Sequence, residues 1–533
     1  MKADPTQHEP NEASPLLTSP TQTHQPSRQQ HATRRTHDRL LFLLMMVVLL
    51  VSLGDQLMET PNTRILEAVI CYRYWERVDP SRLLLPRGAV GPGAYNGVQE
   101  MYCKADDVQS ALASLKGWQQ TFNGFPSLLL ALPYGWLADR YGRKPTIMLS
   151  AAGCILQVMW MQGIAWCWQG FDIRVTWAGT LFTILGGGST VLSTMFFVLL
   201  SDVSDEEQRA AVFMRVGAFN LLASLLMPPV AAWWMRYNPW IPALIGTALM
   251  TLSLVLFIWI PETKGYKGRN DSLDAAAVYT PSEPETAMPG PPPDLSATRE
   301  PIRTDFPMLW LDKLRDSTSF LTDDWRVPAL ITPFLLHLLL ALSALLGLQY
   351  LSKRYALTLS EATLVMTIRN GITVLLLFVI LPYVSTFIMK HYHLSGQRKD
   401  LYLARASQVL ITVGWTLVGL SPNLPAVIIS LAIASLGQGA ALLIRSFLTS
   451  LLPTHHIARV YTTISIFDTA GAMVGAPLLA GLFKRGLALG GMWVGLPYYF
   501  IGAVALVFTV LIFVVGLRKG EDEYRAVYAD DEE

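Results

Sequence analysis

Apolar runs of roughly 20 residues, the length needed to cross a bilayer as a helix, recur along the whole chain. They lie near 39–60, 109–134, 145–167, 174–201, 212–236 and 240–260, then near 329–351, 362–389, 401–420, 423–452, 460–483 and 491–517. The pattern predicts an all-α integral membrane protein of twelve transmembrane helices in two pseudo-repeated six-helix bundles, over 39–261 and 329–517. Between the bundles, 262–328 changes character. "YTPSEPETAMPGPPPDLSATREP" reads as an unstructured linker. After it, Phe306, Leu309, Trp310, Leu314 and Leu321 recur at helical spacing. They predict an amphipathic helix near 305–321, lying in the membrane interface or packed beneath a bundle. Residues 1–38 are polar and rich in Pro, Gln, Thr and His, without a signal-peptide pattern, and are expected to form a disordered tail. An acidic tail follows over 518–533.

The two sets of runs repeat one another. "ALPYGW" at 131–136 corresponds to "ILPYVS" at 380–385, and "GGG" at 186–188 to "GQG" at 437–439. "QRAAVFMRVGAF" at 208–219 then aligns with "ARVYTTISIFDT" at 458–469. Three matches at a shift of about 250 residues mark an internal duplication, and duplicated halves with a path between them are a transporter architecture.

Composition agrees: 52% of residues are hydrophobic and 15% charged, against about 25% charged in soluble proteins. Basic and acidic residues nearly balance, 41 against 40, which gives no sign of nucleic-acid binding. Twelve spans put both termini on one side. Arg28, Arg34, Arg35 and Arg39, with Arg140, Arg143, Lys144, Lys390, Arg398 and Lys399 in two even-to-odd loops, favour the cytosol for it. Lys353, Arg354, Lys484 and Arg485 oppose that assignment from the other side. Of the four cysteines, Cys71 and Cys103 bracket the large first outer loop, as a disulfide or as two free thiols. Cys154 and Cys167 read as packing residues. No metal constellation, nucleophile–base set or Walker motif is present, so no metal, cofactor, enzymatic activity or ATP drive is expected.

One loop concentrates charge: "GWLADRYGRKP" at 135–145. Its run of Gly135, Leu137, Ala138, Asp139, Arg140, Gly142, Arg143, Lys144 and Pro145 resembles the signature loop between the second and third helices of the major facilitator superfamily. More narrowly, "CYRYWE", "CKADDVQSALASLKGW", "LIRSFLTSLL" and "GMWVGLP" resemble phrases of filamentous-fungal members, many of which serve secondary-metabolite pathways. The resemblance implies that the loop is a cytoplasmic latch, closed when the transporter faces outward. Its natural partners are Asp202, Asp205, Glu206 and Arg209 after the fourth span; the alternative is that these charges only set topology. In the second half "VSTFIMKHYHLSGQRKD" lacks the Asp and the paired glycines, which makes the latch one-sided. The fifth span lacks the Gly-Pro motif of the superfamily's drug–proton antiporters, which leaves the antiport direction open.

Ionisable residues inside spans are costly, and each is a candidate for function. Asp55 lies sixteen residues after Arg39, about 24 Å up the first helix. That puts it in the outer half of the bilayer, with Glu59 one turn higher on the same face. Two neighbouring carboxylates suit a proton carrier; the alternative is that Asp55 caps a kink before Pro61 and Glu59 is already at the surface. Arg445 and Asp468 fall at similar depth on adjacent helices, as an ion pair or with Arg445 gripping an anionic substrate. Arg369 is a carboxylate contact or a snorkelling residue, and His337 a proton or substrate contact or a packing residue. Gln119, Gln120, Asn123, Asn220 and Gln438 line a polar path or bond helix to helix.

The expected function is therefore a secondary active transporter of a small organic molecule, coupled to protons and favouring efflux of a metabolite or toxin. Proton-coupled uptake of an organic anion and a non-transporting membrane sensor or scaffold are the alternatives. A monomer in the cell membrane is expected. "EASPLL", ending in Leu16 and Leu17, has the form of a dileucine signal for a sorting adaptor and keeps the vacuolar membrane open.

Overall fold

The computed structural model describes residues 28–204, 206–260, 325–392, 396–451 and 454–516, and they are built of helices. The linker with its amphipathic segment near 305–321, the dileucine stretch and the tail 518–533 lie outside the described residues. Nine helices are long and apolar enough to cross a membrane among the described residues. In chain order the long helices are α1 (Arg28–Val78), α2 (Asp106–Tyr141), α3 (Arg143–Trp166), α4 (Ile173–Val203), α5 (Glu206–Met235) and α6 (Trp240–Ile258). The second half holds α7 (Phe334–Arg354), α8 (Leu359–Tyr392), α9 (Gly396–Leu420), α10 (Leu424–Leu448), α11 (Thr454–Leu489) and α12 (Leu496–Val514). The nine apolar spans together with α2, α7 and α11 make up the twelve expected. A short helix over Arg326–Ile331 precedes α7, overlapping the end of the stretch assigned to the linker.

Two expectations for α1 need correction. Residues 28–38 are helical, not a disordered tail: with no Gly or Pro there, extending an existing helix is far easier than starting one. At its other end α1 runs to Val78 rather than stopping near 60, and ends where Asp79 and Pro80 begin a short 3₁₀ turn. Pro61 sits inside it, and the Thr63 hydroxyl donates to Glu59 O at 3.0 Å, the kind of side-chain bond that steadies a helix around a proline. The charges over 61–78 made that stretch look like a loop, but Arg64, Glu67 and Glu76 are held in ion pairs. Glu67, with a fully buried side chain, receives Arg64 at 2.9 Å and Lys104 at 2.8 Å. Asp55 and Glu59 are therefore at mid-helix, not towards its end.

The halves repeat in detail. The fourth span breaks at Gly186–Gly188, where Ser150 Oγ of α3 donates to Gly186 O and a Cβ on Gly186 would collide with the Ser150 backbone. The tenth breaks at Gly437–Gly439, where a Cβ on Gly437 would lie 2.6 Å from Ser407 O of α9. Only glycine admits such close helix contact. Two ends of the molecule can be named: a disulfide end, where α1 meets α2 and α7 meets α8, and a Gly142 end, where α2 meets α3 and α8 meets α9.

Candidate functional site

At the Gly142 end a single residue, Gly142 (φ 108°), separates α2 from α3, a backbone conformation that suits glycine. Arg143 then forms an ion pair with Asp202 and donates to Val198 O at 3.1 Å, both on α4. Lys144 donates to Ile258 O at 2.7 Å, at the negative end of the α6 dipole. Arg140 lies 5.2 Å over the Trp136 ring, and a Cβ on Gly135 would lie 4.0 Å from Met195 Cε. The start of α3 is thus bound to the ends of α4 and α6. The side chains of Asp139 and Arg209 lie outside the described residues. In the second half the start of α9 has its own tie, which sequence comparison missed: Ser446 Oγ of α10 donates to Asp400 Oδ2 at 2.5 Å.

In the middle of the first half, a cavity of about 630 Å³ opens among α1, α3, α4, α5 and α6. Asp55 faces it beside Cys154 and Gln157, with Asn220 and the Phe196 and Phe197 rings on the far walls. Asn123 is held by helix-to-helix bonds, accepting from Gln157 at 2.5 Å and Thr180 at 3.1 Å. Glu59, one turn on from Asp55, is exposed, and Lys116 on α2 donates to the Thr63 hydroxyl at 2.8 Å. Sequence reading passed over Lys116 because it sits among the charges that open α2, although it lies ten residues into that helix. Arg369 donates to Asn370 Oδ1 at 3.3 Å, and Asn370 Nδ2 crosses to Ser224 O of α5 at 3.0 Å. Arg445 lies 5.0 Å over the Phe334 ring. The side chains of His337 and Asp468 lie outside the described residues.

At the disulfide end the Cys71 and Cys103 sulfurs are joined, tying α1 to the 3₁₀ turn Glu100–Lys104. Arg73 of α1 donates to the carbonyls of Trp168 and Phe171, and Trp168 packs against Tyr72 at 4.9 Å between ring centres. From this braced turn, Glu100 reaches the other half. Its Oε1 accepts from the Leu359 amide, at the start of α8, at 2.8 Å. Arg64 at 3.3 Å and Lys104 at 3.2 Å flank it. Burial alone would raise the Glu100 carboxyl, but Arg64, Lys104 and the Leu359 amide hold it below the ordinary glutamate range. Lys353 of α7 completes the clasp on Asp106 at 2.8 Å and Lys104 O at 2.6 Å, and Ser360 donates to Ala232 O at 2.6 Å. Further hydrogen bonds join the halves at mid-height, as Thr121 to Met473 O at 2.9 Å.

Known proteins match this arrangement. The family model of the Major Facilitator Superfamily matches residues 108–476. An MFS-type transporter, aprT, of Aspergillus flavus is 29% identical over 90% of this chain and 89% of its own length. The MFS efflux pump atnC of Emericella nidulans is 27% identical over 91% and 90%. A crystal structure of a D-xylose-proton symporter superposes with a TM-score of 0.56 at 11% identity, over 89% of this chain and 98% of that one, a likeness of fold. With more than half of its length matched by that family model, and two braced halves of six helices, the chain belongs to the Major Facilitator Superfamily.

Proposed function

We propose that the chain is a secondary transporter that moves a small organic molecule out of the cell by alternating access, coupled to protons. The observation that carries this reading is the clasp of Glu100 on Leu359 and Lys353 on Asp106. It binds the halves at the disulfide end. Such a contact must break for that end to open, so the arrangement is a state closed at the disulfide end. Efflux is supported by relatives such as atnC, itself an efflux pump.

The basic residues at the Gly142 end support a cytosolic location for that end and for both termini, in the cell membrane. Arg143 and Asp202, with Gly135, Asp139, Arg140, Gly142, Lys144 and Arg209, form the cytoplasmic gate motif, which stiffens the first half as it moves. Asp55, in the cavity of the first half, is the proton carrier. Deleting the gene and comparing metabolites inside the cell with those in the medium tests direction: build-up inside is expected, and loss of uptake would reverse the reading. In proteoliposomes a pH gradient should drive flux. If no candidate ligand moved under a pH gradient of either sign, the protein would instead be a sensor or scaffold.

A further inference from the structure

The cavity of about 630 Å³ in the first half has the size of a small-molecule site. Each helix around it turns one face inward. On α1, Val48, Ser52 and Asp55 line it at helical spacing, and on α3 Ala151, Cys154 and Val158 do the same. The lining comes from α1, α3, α4, α5 and α6, so the site is complete without the second half. Among the described residues Asp55 is the one charged group that lines it, and no hydrogen bond or ion pair reaches its carboxylate. Polar groups nearby are engaged elsewhere. The Ser193 and Ser253 hydroxyls donate to carbonyls of their own helices at 3.0 and 2.6 Å, and Gln157 donates to Asn123 at 2.5 Å. The cavity therefore holds one negative charge and no positive one, and a carboxylate at membrane depth without a counter-charge is costly. An anionic ligand would add a second negative charge, and a neutral one would leave the carboxylate uncompensated.

We propose that this cavity binds an organic cation, an amine of one positive charge with an apolar body. Its ammonium donates to the Asp55 carboxylate, a charge-assisted bond, and its body lies against the walls that carry Phe196, Phe197 and Leu254. The site goes beyond the transporter reading, because it stands on one cavity and one carboxylate within a single half. It shares Asp55 with that reading, so binding is measured without a pH gradient.

The test uses the full chain in lipid nanodiscs with 1-naphthylmethylamine, tryptamine and 1-aminoadamantane, each paired with its neutral N-acetyl amide, and reads thermal stabilisation against concentration. The amines are expected to stabilise the protein and the amides not. Asp55→Asn should weaken amine binding at least tenfold, and Asp55→Glu should retain part of it, which guards against a variant that merely folds badly. Location is read from Cys154, a free thiol that lines the cavity, against Cys167, a free thiol that lines a separate cavity beside Trp166 and Trp168. Bound amine should slow the reaction of Cys154 with methyl methanethiosulfonate several-fold and leave Cys167 unchanged in the same sample. Equal stabilisation by amines and amides, no stabilisation by either, undiminished amine binding in Asp55→Asn, or a Cys154 that reacts as fast with amine as without it overturns the proposal. Amine-selective binding with no flux of any candidate ligand in proteoliposomes would overturn the transporter reading and leave the site standing.

Discussion

Replacing Glu100 by Gln is expected to loosen the halves at the disulfide end. Glu100 accepts from the Leu359 amide at 2.8 Å and faces Lys104 and Arg64 at 3.2 and 3.3 Å. A hydrogen bond to a charged group contributes about 1.5–3 kcal/mol net, against about 1 kcal/mol for a neutral one. The ion pairs count for less, because the Glu100 side chain is 25% exposed, and pairs in contact with water are worth about 0–1 kcal/mol. Glutamine keeps the reach and one acceptor, so the net loss is about 1–3 kcal/mol, roughly a 5- to 150-fold shift away from the clasped arrangement. Glu100→Ala, which loses the acceptor too, should go further.

Spin labels at Leu84 and Met492, both exposed and on different halves at this end, report the separation by pulsed dipolar spectroscopy. A single short distance is expected in the parent, with a longer population growing from Gln to Ala. Acid should act the same way. A carboxyl held below its ordinary value near 4.5 stabilises the clasp fully above that value. The stabilisation fades as pH falls through the lowered value, so the clasp loosens in acid and not in alkali. Identical distance distributions in the parent and both variants, with melting temperatures unchanged, would refute the assignment of Glu100 to the clasp.

Three further perturbations have definite outcomes. Asp55→Asn should abolish flux driven by a pH gradient while leaving the melting temperature within a few degrees of the parent's; retained gradient-driven flux would remove Asp55 from coupling. Cys71→Ser releases a link across 32 residues, worth about 3–4 kcal/mol by chain entropy. It should expose the loop after Val78 to limited proteolysis before the helices unfold. Gly186→Ala drives a methyl into the Ser150 backbone and should cost about 1–3 kcal/mol of first-half stability, measured by denaturation in detergent.

The twelve runs, the duplication and the Gly142 loop were legible because each depends on local chemistry. A span is set by the length of its apolar run, and a tight turn by glycine where φ is positive. Arg143 and Asp202 were likewise found as partners, since the loops that hold them are short and marked by charge. Where α1 ends was not legible, because Arg64, Glu67 and Arg73 look like loop residues until their partners are known. Those partners, Lys104, Trp168 and Phe171, stand 37 or more residues away in the chain. Lys116 was hidden for the same reason.

By itself, then, the sequence determined the helices, their pairing into two halves and the charged turn at one end. Only the tertiary structure decided that Glu100 meets the Leu359 amide 259 residues further on, and that Lys116 meets the Thr63 hydroxyl 53 residues away. The physical reason is range. Helix formation and membrane insertion are set by neighbouring residues, whereas the worth of a charge inside the membrane is set by what packing brings within a few ångströms of it.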